Sequence, residues 1–101
     1  MQARWVPVGF DWDPAAPLYV PAEPFRRFLI QHQATWGEDL ESIAARFEAR
    51  FGFPRGLLLR WLRRVVFGET RRCNLYLVDE VMTLLGHHPI EVYGNDWWDA
   101  T

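Results

Sequence analysis

Apolar residues recur at three- and four-residue spacing in three successive stretches of this chain, and each stretch stops at a glycine. That rhythm puts a single apolar stripe on one side of an α-helix, so it predicts helices that must bury a face against one another. Leu40, Ile43, Ala44, Phe47 and Phe51 make the first stripe, and Gly52 stands where a left-handed cap residue would end the helix. Pro54 is expected to open the next helix, because proline fits a first turn. Its apolar face is Leu57, Leu58, Trp61, Leu62 and Val65, and Gly68 closes it. Asn74 is a good cap for a further helix, with Leu75, Val78, Val81, Met82 and Leu85 at helical spacing and Gly86 at its end.

Shorter signals flank these helices. Pro24 opens an earlier helix, expected at about residues 22–33, with Phe25, Phe28, Leu29 and His32 sharing a face. Thr35-Trp36-Gly37-Glu38 has the spacing of a capping box. His88–Tyr93 reads as a last helical turn. Residues 1–22 differ: Pro7, Pro14, Pro17 and Pro21 exclude a long helix, and Trp5, Phe10, Trp12 and Tyr19 need somewhere to pack. An extended segment across the helical core is expected, with a short strand at Arg4–Val8. The domain organisation that follows is an extended segment over 1–22, a helical domain over 23–94 and an acidic tail over 95–101, whose Trp97 and Trp98 fold back on the core. The expected fold class is all-α: a small bundle of four to five helices with the Pro- and aromatic-rich N-terminal segment packed on it.

Charge is segregated along the chain, although the net charge is only -2. Residues 1–45 carry three arginines against six acids, residues 46–72 carry eight against Glu48 and Glu69, and residues 73–101 carry none against five. A compact basic block between acidic flanks is the footprint of a phosphate-binding surface. It is equally what a solvated helix face paired with its own flanks would show. All eleven basic side chains are arginine. GC-rich coding explains that, and the planar guanidinium also suits phosphate and guanine.

Several chemistries lack their residues. Cys73 is the single cysteine, so no intrachain disulfide or thiolate cluster can form, and a reducing, cytoplasmic setting is expected. Neither a signal-peptide run nor a stretch of membrane-spanning length occurs. There is no glycine-rich phosphate loop, serine elbow or paired Cys/His arrangement. Asp11 and Asp13 have no histidine or basic partner nearby in sequence, and the adjacent His87 and His88 point different ways in most backbones. No enzyme, metal or cofactor is expected.

Two helices joined at Gly52-Phe53-Pro54 and followed by a capping helix have the layout of a helix-turn-helix. The runs Leu57-Leu58-Leu59-Arg60-Trp61-Leu62, Gly68-Glu69-Thr70 and Val78–Pro89, then Glu91-Val92-Tyr93-Gly94 and Trp97-Trp98, resemble phage-repressor-type helix-turn-helix proteins of actinobacteria and their phages. The resemblance covers about residues 38–98. It implies a sequence-specific DNA-binding regulator, a repressor or an excision and lysogeny control factor, acting on double-stranded DNA in the bacterial cytoplasm. It also implies base contacts from Arg55, Leu59 and Arg60 in the region Pro54–Arg60, and phosphate contacts from Arg50, Arg63, Arg64, Arg71 and Arg72. Members of this type dimerise to match two half-sites, so a homodimer is an accompanying expectation. The departure is Glu48, which stands where the family has a small residue. That leaves a second expectation from a different class, in which the scaffold binds a host or virion protein.

Overall fold

A computed structural model describes residues 19–94 of the protein. The strand expected at Arg4–Val8, the N-terminal aromatics Trp5, Phe10 and Trp12, and the tail residues Trp97 and Trp98 lie outside the described residues. Within them the chain is mostly helical, with α1 (Ala22–Trp36), α2 (Leu40–Phe51), α3 (Leu57–Val66), α4 (Leu75–Leu84) and α5 (Ile90–Tyr93). Two strands, β1 (Tyr19–Pro21) and β2 (Arg72–Asn74), complete the fold.

The four longer helices bury most of the face that their spacing predicts, and α4 buries Leu77 besides. Phe25, Leu29 and His32 turn inward from α1; Ile43, Ala44 and Phe47 from α2; Leu58, Leu62 and Val65 from α3; Leu77, Val78, Val81 and Met82 from α4. Aromatic contacts join these layers. Phe25 meets Trp61 at 5.6 Å between ring centroids, and Phe47 meets Phe53 edge-on at 5.4 Å. Offset and edge-on rings of this kind add about 0.5–1.5 kcal/mol beyond the area they bury.

Three boundaries differ from the expectation, each for a physical reason. First, α1 runs on through Thr35 and Trp36. Gly37 takes the left-handed conformation and its N–H bonds to the Gln33 carbonyl at 2.8 Å. Thr35 is therefore inside α1, where its hydroxyl accepts from Gln31, and the capping box does not form. Asp39 caps α2 instead, accepting from the Ser42 N–H at 2.8 Å. Second, α3 begins at Leu57, not at Pro54. Gly56 has φ 82, a left-handed value that interrupts any helix begun at Pro54. The connection between α2 and α3 is thus Gly52 to Gly56, and its middle residue Pro54 is preceded by a buried Phe53.

Third, a short ribbon accompanies the five helices of the mostly helical fold. β1 and β2 form a two-stranded antiparallel ribbon, with Tyr19 opposite Asn74, Val20 opposite Cys73 and Pro21 opposite Arg72. β2 occupies the stretch up to Asn74, and Asn74 still caps α4, accepting from the Leu77 N–H at 3.0 Å. Val20 and Cys73, paired across the ribbon, are both buried. Tyr93 at the end of α5 donates to the Pro21 carbonyl, so the last helix is fastened to the ribbon. Among the described residues no helix is long and apolar enough to cross a membrane.

The two faces of α3 predict different mutational costs. Leu62→Ala removes a side chain with no exposed surface and should cost about 2–5 kcal/mol in urea unfolding. Leu59→Ala, on the half-buried flank, should cost under about 1 kcal/mol. Gly56→Ala should cost about 1–2 kcal/mol. No atom lies within 4 Å of an added Cβ, so that loss measures the left-handed backbone alone.

Candidate nucleic-acid interface

α3 separates its residues cleanly. With Leu58, Leu62 and Val65 buried, the helical period turns Arg60, Arg63 and Arg64 to the opposite side, where all three are exposed. Leu59 lies between the two faces, half-buried. A shallow groove along this outer side is lined by Gly56, Leu59, Arg60, Arg63, Arg64 and Phe67, with Glu69 at its far end.

The ends of α3 are held by side chains from elsewhere. At the start, the Glu48 carboxylate accepts from the Gly56 N–H at 2.7 Å and braces the connection. At the finish, Gly68 has φ 75 and bonds back to Val65, and the Glu69 N–H reaches the Arg64 carbonyl. That pair of bonds is a Schellman cap. Arg26 from α1 donates through Nε to the Val66 carbonyl at 3.0 Å and fastens this end to the core.

Eight arginines make up the basic block, and the fold divides them. Arg46 pairs with Glu38 through two bonds of 2.9 and 3.0 Å. Arg63 reaches back to Glu41 of α2 at 3.0 Å. Arg72 donates to the Tyr19 carbonyl at 3.0 Å across the ribbon. Arg50 lies over the Phe51 ring at 5.6 Å. Arg55, Arg60, Arg64 and Arg71 are exposed, and their side chains have no hydrogen-bond or ion-pair partner among the described residues. Of the expected base contacts, Arg55 sits in the connection before α3, and Leu59 and Arg60 lie on the helix itself. Of the expected phosphate contacts, Arg50, Arg64 and Arg71 are available, whereas Arg63 and Arg72 are engaged within the chain.

Phe67 is the residue that the apolar periodicity overlooked. It is 68% exposed at the end of α3's outer side, next to Arg63 and Arg64 in the groove. Its position one turn after Arg63 was the available signal, because that spacing sets an aromatic ring on a basic face.

The acidic side of the block is built around Glu38. Its carboxylate accepts from Arg46, from the Ser42 hydroxyl at 2.9 Å, and lies 3.0 Å from Nε2 of the buried His32. Partial burial pulls this carboxyl upward, but hydrogen bonds from His32, Arg46 and Ser42 overcome it and hold its pKa down at about 2. Elsewhere, His87 Nδ1 lies 2.8 Å from Glu91, while Nδ1 of His88 accepts from the Ile90 N–H, so the adjacent histidines serve separate bonds. Burial pushes the Cys73 thiol up to about 12, against the pull of Tyr93 and Arg72, which leaves it un-ionised at neutral pH.

The described fold is a small helical domain with one helix presenting an arginine-bearing outer face. No protein-family model, no curated protein and no solved structure matches the chain.

The Glu38 cluster makes stability depend on pH in a defined window. A carboxyl held at about 2, against an ordinary 4.5, contributes stability above pH 4.5 that fades as the pH falls towards 2. Allowing for the half-exposed Arg46, that contribution is about 1–2 kcal/mol. Glu38→Gln should lower the thermal midpoint at pH 7 and flatten its fall between pH 4.5 and 2. A Glu38→Gln midpoint equal to wild type at pH 7 would remove this cluster as a source of stability.

Proposed function

We propose that the protein is a sequence-specific double-stranded DNA-binding regulator, of the repressor or excision-control kind that phages and prophages use. The observation that carries this reading is the set of exposed arginines without a partner among the described residues, Arg55, Arg60 and Arg64, at the start and along the outer side of α3. A ten-residue helix is about 15 Å long, and the major groove, about 12 Å wide, admits one. In this reading α3 lies in the groove, with Arg55 and Arg60 each taking a guanine edge through two hydrogen bonds. Leu59 meets a thymine methyl. Arg50, Arg64 and Arg71 hold phosphates and set the register without reading sequence. Arg63 and Arg72 keep their internal partners and shape the surface.

Glu48 bears on how the helix is presented. A carboxylate near the leading end of α3 repels phosphate, so the backbone there must approach the bases through Arg55 and not through its own N–H groups. The acidic residues before and after the basic block also keep non-specific, purely electrostatic binding weak.

Selection of bound sequences from a random duplex pool at two salt concentrations tests the reading, and a palindromic product would show a dimer as well. The double variant Arg55→Ala/Arg60→Ala should keep its salt dependence but lose discrimination, at about 1–3 kcal/mol for each arginine. Arg64→Ala/Arg71→Ala should weaken all duplexes alike and make the slope of log K against log salt shallower by about 2. Gel-shift selectivity unchanged in the first variant overturns the role given to Arg55 and Arg60.

A further inference from the structure

Phe67 has no part in a surface that only neutralises phosphate. Its ring is 68% exposed, it lies outside the core formed by the described residues, and it shares its groove with Arg60, Arg63 and Arg64, with Glu69 as the one acid there. The Schellman cap at Gly68 and the Arg26 bond to the Val66 carbonyl fix the backbone on both sides of it. The ring is therefore presented from a rigid helix end. An aromatic face set among guanidinium groups is complementary to a polyanion that also offers flat π surfaces. Nucleic acid is such a polyanion, but in an intact duplex the base faces are covered by their neighbours and only the edges reach the grooves. A base outside the stack has its face free, and stacking on an aromatic side chain is then worth enough to dominate local binding.

We infer that Phe67 is a base-stacking residue, and that the outer side of α3 takes DNA carrying an unpaired base, with Arg64 on a flanking phosphate and Arg60 kept on its guanine edge. This rests on the reading of α3 as the DNA-contacting helix, and it adds the kind of DNA that the helix prefers. Phe67 stands about 10 Å along the helix from Arg60, two turns away, so the ring and the arginine meet different nucleotides.

The test uses the full chain and three fluorescent probes at one low salt concentration. These are a mixed-sequence duplex, the same duplex with one extra unpaired nucleotide, and one of its single strands. Wild type should bind the bulged duplex more tightly than the fully paired one, by about 5-fold or more. Phe67→Ala and Phe67→Leu should lose about 5- to 100-fold on the bulged probe and the single strand, while paired-duplex binding stays within about twofold. Phe67→Trp should restore the preference, because it restores the ring. Thermal melts should leave all three variants folded, since the side chain is outside the core.

Leucine binding as well as phenylalanine would overturn the inference, because a plain apolar contact would then suffice. Equal wild-type affinity for bulged and paired duplex would overturn it too. Failure of the DNA-binding reading looks different: wild type then binds none of the probes at low salt, and Arg60→Ala changes nothing. Loss of the Phe67 effect alone, with Arg60→Ala still weakening the duplex, sinks only the stacking role.

Discussion

The inner face of α3 sets the conditions for everything its outer face can do. Leu58, Leu62 and Val65 have no exposed surface, and Trp61 packs on Phe25 of α1. Fully burying side chains of this size contributes about 1.5–3 kcal/mol each, far more than any surface ion pair of the domain. The rotation of α3 about its own axis is therefore decided by the core. Once those residues point inward, helical geometry leaves Arg60, Arg63, Arg64 and Phe67 pointing out. Charge has no vote in that outcome, and the outer face can change its residues without disturbing the seat.

What burial does not decide is where α3 begins, and there a polar interaction takes over. The backbone from Gly52 to Gly56 leaves one helix and enters the next with two left-handed glycines. An N–H at such a connection needs an acceptor, and Glu48 supplies it from the helix just left. A small residue at position 48 would leave the Gly56 N–H to water and let the connection relax. The carboxylate thus trades some electrostatic welcome to phosphate for a defined start to α3. The same division of labour recurs at the far end, where Arg26 closes the Val66 carbonyl and gives up its own freedom to meet an anion.

The sequence was readable where one physical signal repeated. α2, α3 and α4 carry their apolar stripe over several turns, and the stopping glycines Gly52, Gly68 and Gly86 all have positive φ. It misled where two local rules competed. Thr35 to Glu38 fits a capping box, but Gly37 between them is the cheaper left-handed residue, and the helix ended there. Pro54 can open a helix, but only if the next residues stay helical, and Gly56 does not. The ribbon was invisible because three-residue strands show no period, and its partners lie 51 to 55 positions apart. The arginines were legible as a block and not as individuals. Whether Arg63 or Arg72 is engaged depends on Glu41 and Tyr19, which are 22 and 53 residues away. Phe67 was lost for a related reason: an apolar residue off the stripe carries no meaning until its neighbours in space are known.

That sorting of the arginines also answers the ambiguity of the charge pattern. A basic block between acidic flanks can be an internal ion-pair network or an outward electrostatic face, and here it is both. Glu38 and Glu41, from the acidic flank, take up Arg46 beside the start of α2 and Arg63 between α2 and α3. The exposed Arg63–Glu41 pair adds little stability of its own, but both pairs remove cations from the free basic surface. Among the described residues, what is left uncommitted is narrower than the block as a whole: Arg55 at the leading edge, Arg60 and Arg64 on the helix, and Arg71 beyond it. A polyanion approaching this face meets charge concentrated along one helix, with an aromatic ring at its end. That arrangement favours an elongated ligand lying along α3 over a compact anion, which would need several arginines to converge on one point.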